Sequence, residues 1–355
     1  MKNSHLNKIQ DIHYSRQKAS FCLGIVLSVG SFFYKNVINF KNFLYKKNIL
    51  KEQKVEAYVI CVGNLTTGGV GKTPIVAKMA NELSKNEPVA IISRGYGAKI
   101  SNKEPLIIKD FKEIKFKDGT LCGDEPFQLA KKVNNNVVII TCPDRKKSAE
   151  LAIVKFGIKT IIMDDGFSNR KIKKDKQILV IDSKMRFGNN FLLPKGPLRE
   201  PVGEINRVDE IILVDKGDEN IEDAILWVQK FNKPYKICKM QPKRIYNIKT
   251  KADLVFNKPL NSSDQKPKAI AFCAIGQPKQ FFDFAKKYYE IVEMIEFDDH
   301  HKYNKNDIKK LETLANKNNT NIFITTQKDE TKLLPLVSDC LDYCYNILEL
   351  KEEIL

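Results

Sequence analysis

Thr66-Thr67-Gly68-Gly69-Val70-Gly71-Lys72-Thr73 follows the apolar run 58–62 and precedes a segment compatible with a helix. A strand, a glycine-rich turn ending in Gly-Lys-Thr and a helix start, in that order, form the context in which such a turn binds phosphate. Glycines let successive backbone N–H groups point at phosphate oxygens, and the helix adds free donors and the positive end of its dipole. Lys72 then reaches the β- and γ-phosphates, and the Thr73 hydroxyl takes one position on Mg²⁺. Pro74 suits a first helical turn, where its missing N–H has no intrahelical acceptor. The general pattern carries glycine where this chain has Thr66. The chain is expected to bind a nucleoside triphosphate.

Other chemistry-bearing residues stand at the ends of apolar runs. Asp164 and Asp165 follow 160–163, the placement of an acidic residue that helps hold Mg²⁺ beside a phosphate loop; an Asp-Asp-Gly turn is the plainer alternative. Asp124 and Glu125, in Gly123-Asp-Glu-Pro126, also read as an ordinary acidic helix start. Arg94, in Ser93-Arg-Gly-Tyr-Gly97, and Arg145, in Pro143-Asp-Arg145, suit phosphate charge or simply solvent. The stretch Leu193-Pro-Lys-Gly-Pro-Leu-Arg-Glu-Pro201 is a rigid loop able to shape an acceptor pocket. Two of only four histidines lie in Asp298-Asp-His-His301. That stretch reads as a general base with its aspartate or as an exposed polar turn, and a metal site lacks a third ligand cluster.

The elements that must position these groups are short buried strands alternating with helices. Runs 89–92, 137–140, 158–163, 178–181 and 211–214 read as strands, with helices around 127–132 and 146–156. That rhythm predicts a doubly wound, mainly parallel α/β sheet with its ligand at the carboxyl ends of the strands. After a linker at 232–234 a smaller α/β rhythm follows: strands at 268–275 and 321–324, helices at 281–289 and 308–315, and a loop at 325–329. Length and a 43% apolar content accommodate two cores. The expected division is 1–50 as a basic, apolar anchoring segment, 51–232 as the core and 233–355 as a smaller domain.

The formal net charge is +17, which calls for an acidic partner: nucleic acid, anionic lipid or a phosphorylated substrate. Residues 1–54 hold ten Lys/Arg against Asp11 and Glu52. They also carry sixteen uncharged residues, 19–34, between Lys18 and Lys35. A helix of that length spans about 24 Å, short of a hydrocarbon core of about 30 Å. With Phe32, Phe33, Tyr34, Phe40, Phe43 and Tyr45 among lysines, a helix lying in the membrane interface is expected. A signal peptide and a buried first helix are the competing readings. The eight scattered cysteines include no Cys-x-x-Cys pair and read as buried free thiols in a cytoplasmic protein.

Together the phosphate loop with its flanks (63–74), 93–97, 123–126, 143–145, Asp164-Asp-Gly-Phe167, 193–200 and Asp299-His-His301 resemble, in type and order, the tetraacyldisaccharide 4'-kinases of lipid A synthesis over about residues 20–330. In that family Thr-Thr-Gly-Gly is a variant of the loop, so Thr66 is no defect. The resemblance implies a P-loop NTPase-like core and transfer of the γ-phosphate of ATP, with Mg²⁺, to the 4'-hydroxyl of a tetraacyldisaccharide 1-phosphate. It implies Asp124 as catalytic base, a histidine partner for which we favour His300 over His301, and Lys72 on the transferred group. Thr73, Asp164 and Asp165 would position Mg²⁺, and Arg94, Tyr96, Glu125, Arg145, Gly196 and Arg199 would meet phosphate or substrate. A monomer at the cytoplasmic face of the inner membrane is expected, with no nucleic-acid partner. The rivals are a partitioning-type membrane-surface switch ATPase, whose extra lysine is Thr67 here, and a nucleic-acid NTPase.

Overall fold

The computed structural model describes residues 11–14, 20–95, 104–117, 119–215, 221–254, 266–275, 278–298, 301–337 and 342–354. The chain divides into two compact units, His5–Lys239 and Met240–Glu353.

In the larger unit the predicted apolar runs are strands. They are β1 (Tyr58–Gly63), β2 (Val89–Ser93), β4 (Val137–Thr141), β5 (Thr160–Asp164), β6 (Lys176–Asp182) and β7 (Glu210–Asp215), with a short β3 (Leu106–Lys109) and the start of β8 (Tyr235–Asn247). Their order is β8-β7-β6-β1-β5-β2-β4-β3. All neighbours run parallel except β3, which is antiparallel to β4 at the edge. Strands β2, β4 and β5 are buried at every residue, as expected of parallel strands covered on both faces. Strand β1 lies between β5 and β6, so the chain leaves it toward β2 on one side and later returns on the other. The crevice at such a reversal is where doubly wound sheets bind ligands.

The register places Val62 opposite Asp164, bringing the chain after β1 beside the Asp164-Asp165 pair. Gly63 permits that approach. A Cβ there would lie 2.7 Å from the Phe167 Cβ and 3.0 Å from its backbone nitrogen.

Helix α1 spans Phe21–Lys46, about 39 Å at 1.5 Å per residue. It is thus longer than the apolar run alone suggested, and is long and apolar enough to cross a membrane by length and composition. The extension has a packing cause. Leu27, Ser31 and Asn42 are buried, with Tyr34, Lys41 and Tyr45 half-buried on the same i, i+3/i+4 face. The polar members of that face have partners in the unit, so Lys41 and Asn42 do not end the helix. Asn48, in the left-handed region at φ 57°, closes it. Phe21, Val26, Phe32, Phe33, Val37 and Phe40 are exposed.

The smaller unit is built around parallel strands β9 (Lys268–Cys273), β10 (Glu290–Glu296), β11 (Ile322–Thr326) and β12 (Cys344–Ile354), with the continuation of β8 beside β12. One of its two apolar clusters centres on Phe272, Phe323 and Tyr345. The loop expected at 325–329 is instead a strand end running directly into a helix, Gln327–Val337. Its reason is local: the Thr326 hydroxyl accepts from the Asp329 N–H at 3.2 Å, an N-cap that makes a longer turn unnecessary.

Gly63→Ala should cost about 1–3 kcal/mol in chemical unfolding, because the added methyl meets backbone rather than a yielding side-chain tip.

Candidate active site

Helix α2 (Lys72–Leu83) begins directly after the loop, with Gly71 as its N-cap at φ 91° and no side-chain cap. Its first N–H groups are therefore left for a ligand. Gly68 also holds a positive φ, 103°, so two turns of the loop depend on glycine.

Lys72 has defined partners. Its Nζ donates to the Asn64 side-chain oxygen at 2.9 Å and lies 3.4 Å from Asp165. Arg199 clamps the same carboxylate with two bonds, 2.8 and 2.9 Å, and also donates to the Asn64 side chain and to the Asn64 carbonyl, the latter at 3.0 Å. Arg199 arrives because 197–199 pair with the loop: Thr67 N–H donates to Pro197 O at 2.8 Å and Arg199 N–H to Leu65 O at 2.7 Å. Asp165 sits at φ 50°, a region costly for a non-glycine residue, with its N–H on Val62 O at 2.9 Å. Burial works against its charge, but the Arg199 bonds and Lys72 outweigh it and hold its pKa well below the usual range.

Asp164 is the opposite case. Burial pushes its pKa up to about 6, Asp165 and Glu125 adding to the rise while Lys72 and Arg145 oppose it. Its Oδ1 is buried with no hydrogen-bond partner among the described residues. Two adjacent carboxylates are thus split, one locked in a clamp and one held back as a proton or cation acceptor.

Arg145 opens the helix Arg145–Phe156 and is buried, reaching Cys142 O and Asp164 O only at 3.4 Å. Burial disfavours its charge, Asp164 and Asp165 support it, and Arg94 opposes it. Lys72, Glu125, Arg94, Arg145, Asp164 and Asp165 therefore share one electrostatic neighbourhood. Asp124 and Glu125 occupy the first turn of Asp124–Lys132, whose N-cap is Gly123 at φ 95° without a side-chain bond. The acidic pair is inside the helix, and capping by Asp124 is not its arrangement. Gly119 faces it closely, since a Cβ there would lie 2.7 Å from the Asp124 carboxylate.

Gly196 has a packing reason, because a Cβ would collide with Asn189 and the Phe191 carbonyl. Tyr96 and His300 lie outside the described residues. His301, in the smaller unit, bonds Asp307 at 3.0 Å and stacks on Phe297 at 4.8 Å, and Asp307 is part of the capping box of the helix Lys305–Lys317. Asn64 and Tyr14 were given no role from the sequence, and Tyr34 only that of an interfacial aromatic: Tyr14 donates to Thr67 O at 3.1 Å, and Tyr34 turns inward, half-buried, to donate to Arg199 O at 3.0 Å. Only Asn64 carried a signal, its place between β1 and the loop.

A phosphate loop at the head of a central parallel strand, with paired acids at the next strand end, defines an α/β enzyme of the nucleoside-triphosphate-binding class. Residues 23–352 match the family model of tetraacyldisaccharide-1-P 4'-kinase. The chain is 33% identical over 318 residues to a tetraacyldisaccharide 4'-kinase of Halothermothrix orenii, covering 86% of this chain and 82% of that one. It is 32% identical over 338 residues to that of Syntrophus aciditrophicus, covering 92% and 89%. Among solved structures, LpxK from Aquifex aeolicus in complex with ATP matches with a TM-score of 0.69 at 30% identity, over 94% of this chain and 95% of that one. The chain belongs to the tetraacyldisaccharide 4'-kinase family.

Because the Asp164 pKa is raised from 3.8 to about 6, the folded state binds the extra proton in that interval. Stability from this group is full below pH about 4 and is lost as pH rises through about 6. In nucleotide-free protein, Asp164→Asn should flatten that part of the pH–stability curve measured by chemical unfolding.

Proposed function

We propose that the chain transfers the γ-phosphate of ATP to the 4'-hydroxyl of a tetraacyldisaccharide 1-phosphate at the cytoplasmic face of the inner membrane. The observation that carries the reading is Lys72 at the head of its helix, 3.4 Å from Asp165 and beside an Asp164 whose buried Oδ1 lacks a hydrogen-bond partner among the described residues. The chain's membership of the family supplies the acceptor.

ATP lies along the loop 66–73, its phosphates facing the backbone N–H groups at the start of α2, with Lys72 on the β- and γ-oxygens. The unpartnered Asp164 oxygen fits a hard cation. Asp164 and Thr73 would hold Mg²⁺, with Asp165 alongside, and two oxygen donors suit an ion that keeps water and phosphate in its shell. When bound, Mg²⁺ offsets charge on the phosphates. Arg145 and Arg94 add positive charge to the same region, and the loop 193–200 meets the disaccharide.

Asp124 takes the proton of the 4'-hydroxyl as its oxygen bonds to the γ-phosphorus and the bond to the ADP oxygen breaks. His300 is its proposed partner on the family resemblance alone. The exposed Phe32, Phe33 and Phe40 of α1, among lysines, enter the membrane interface, so that acyl chains stay in the bilayer.

A kinase assay with labelled ATP and tetraacyldisaccharide 1-phosphate in detergent micelles tests this. Label should enter the lipid; ATP hydrolysis without lipid labelling would overturn the acceptor assignment. Lys72→Ala should lower turnover on the order of a hundredfold or more, and Asp124→Ala by roughly 10²–10⁴. Near wild-type turnover in Asp124→Ala would remove it as the base. Phe32→Ser with Phe33→Ser should abolish most sedimentation with anionic vesicles, since each buried aromatic contributes about 1.5–3 kcal/mol.

A further inference from the structure

Helix α1 does more than present an apolar face. Its inner face sends polar groups to one short loop, 192–200. The Ser31 hydroxyl donates to Leu192 O at 2.9 Å, Tyr34 donates to Arg199 O at 3.0 Å, and Asn42 Nδ2 donates to Glu200 at 3.1 Å. Lys41 adds an ion pair to Glu200 at 3.6 Å. Gly30 lets Pro194 approach, with its Cγ 3.0 Å from where a Cβ would be. Glu200 is fully buried, and a buried carboxylate is costly unless paired. Its described partners, Lys41 and Asn42, are both on α1.

The loop ends in Arg199, whose guanidinium takes both oxygens of Asp165 at 2.8 and 2.9 Å while Lys72 keeps only a 3.4 Å contact with the same carboxylate. That division matters for ATP. A carboxylate already satisfied by a bidentate arginine competes weakly for the lysine, which is left for phosphate. If Arg199 withdraws, Asp165 turns its full charge on Lys72 and becomes a rival anion inside the phosphate site.

From this geometry we infer that Tyr34 and Asn42 of α1 are positioning residues for Arg199 and, through Asp165, set how freely Lys72 receives the triphosphate. The inner face of α1 is thus part of the ATP site, and whatever shifts the helix on its loop changes ATP affinity. The inference rests on the loop 66–73 being the ATP site, but not on the identity of the acceptor.

The test is calorimetric titration of Mg·ATP into the full chain in detergent micelles, without lipid acceptor. Tyr34→Phe removes one hydroxyl and keeps the ring, and Asn42→Ala removes the Glu200 donor. Each should raise the ATP dissociation constant roughly five- to tenfold, the scale of one lost hydrogen bond. Sedimentation with vesicles of phosphatidylglycerol and phosphatidylethanolamine should match wild type. Arg199→Ala should weaken ATP at least as much, and Tyr34→Phe combined with Arg199→Ala should be no weaker than Arg199→Ala alone. Wild-type ATP affinity in Tyr34→Phe, or losses that add in the double variant, would overturn the inference. If the variants show these shifts while the wild-type chain phosphorylates no lipid, only the acceptor assignment falls; a wild-type chain that binds no ATP overturns both.

Discussion

A lysine at the mouth of a phosphate loop must stay charged and ordered before nucleotide arrives, without being captured by the acids that surround it. Here Asp165 and Arg199 meet that requirement together. The arginine takes both carboxylate oxygens, while Asn64 and a longer ionic contact steady Lys72. Every nearby element bears on that pair. Strand β5 delivers Asp165, β1 delivers Asn64, helix α2 delivers Lys72, and the loop against α1 delivers Arg199.

The two aspartates show how position within a few ångströms divides chemistry. Both end the same strand, but Asp164 lies in the sheet, fully desolvated, while Asp165 turns out through a left-handed backbone angle into the arginine clamp. Arg199 and Lys72 hold the pKa of one well below the usual carboxylate range, and burial pushes that of the other up to about 6. Neither the Asp-Asp spelling nor its distance from the loop separates them.

The apolar strands and most helices were legible because parallel buried strands read as unbroken runs of Val and Ile, and amphipathic segments repeat at helical spacing. The helix at Gln327–Val337 and the length of α1 were less so. In the first a single hydroxyl cap replaces a loop. In the second, the apolar run ends before Lys35, and the helix continues to Lys46 with Lys41 and Asn42 paired to Glu200, far along the chain. The acidic helix start at Gly123-Asp-Glu-Pro126 was ambiguous for a similar reason: capping geometry depends on which residue carries non-helical angles, and that residue is Gly123.

Residue types and spacing determined by themselves that this chain has a phosphate loop, a doubly wound sheet and acids at its strand ends, and the order of those stretches pointed to the family. These are local or periodic properties, set by a few neighbouring residues and written along the chain. Tertiary structure alone decided that Arg199 closes on Asp165, that Tyr34 and Asn42 sit behind it, and that the Asp164 Oδ1 is buried without a hydrogen-bond partner among the described residues. Those contacts join residues 34 to 165 positions apart, or turn on desolvation by the whole sheet, and no spacing rule encodes either.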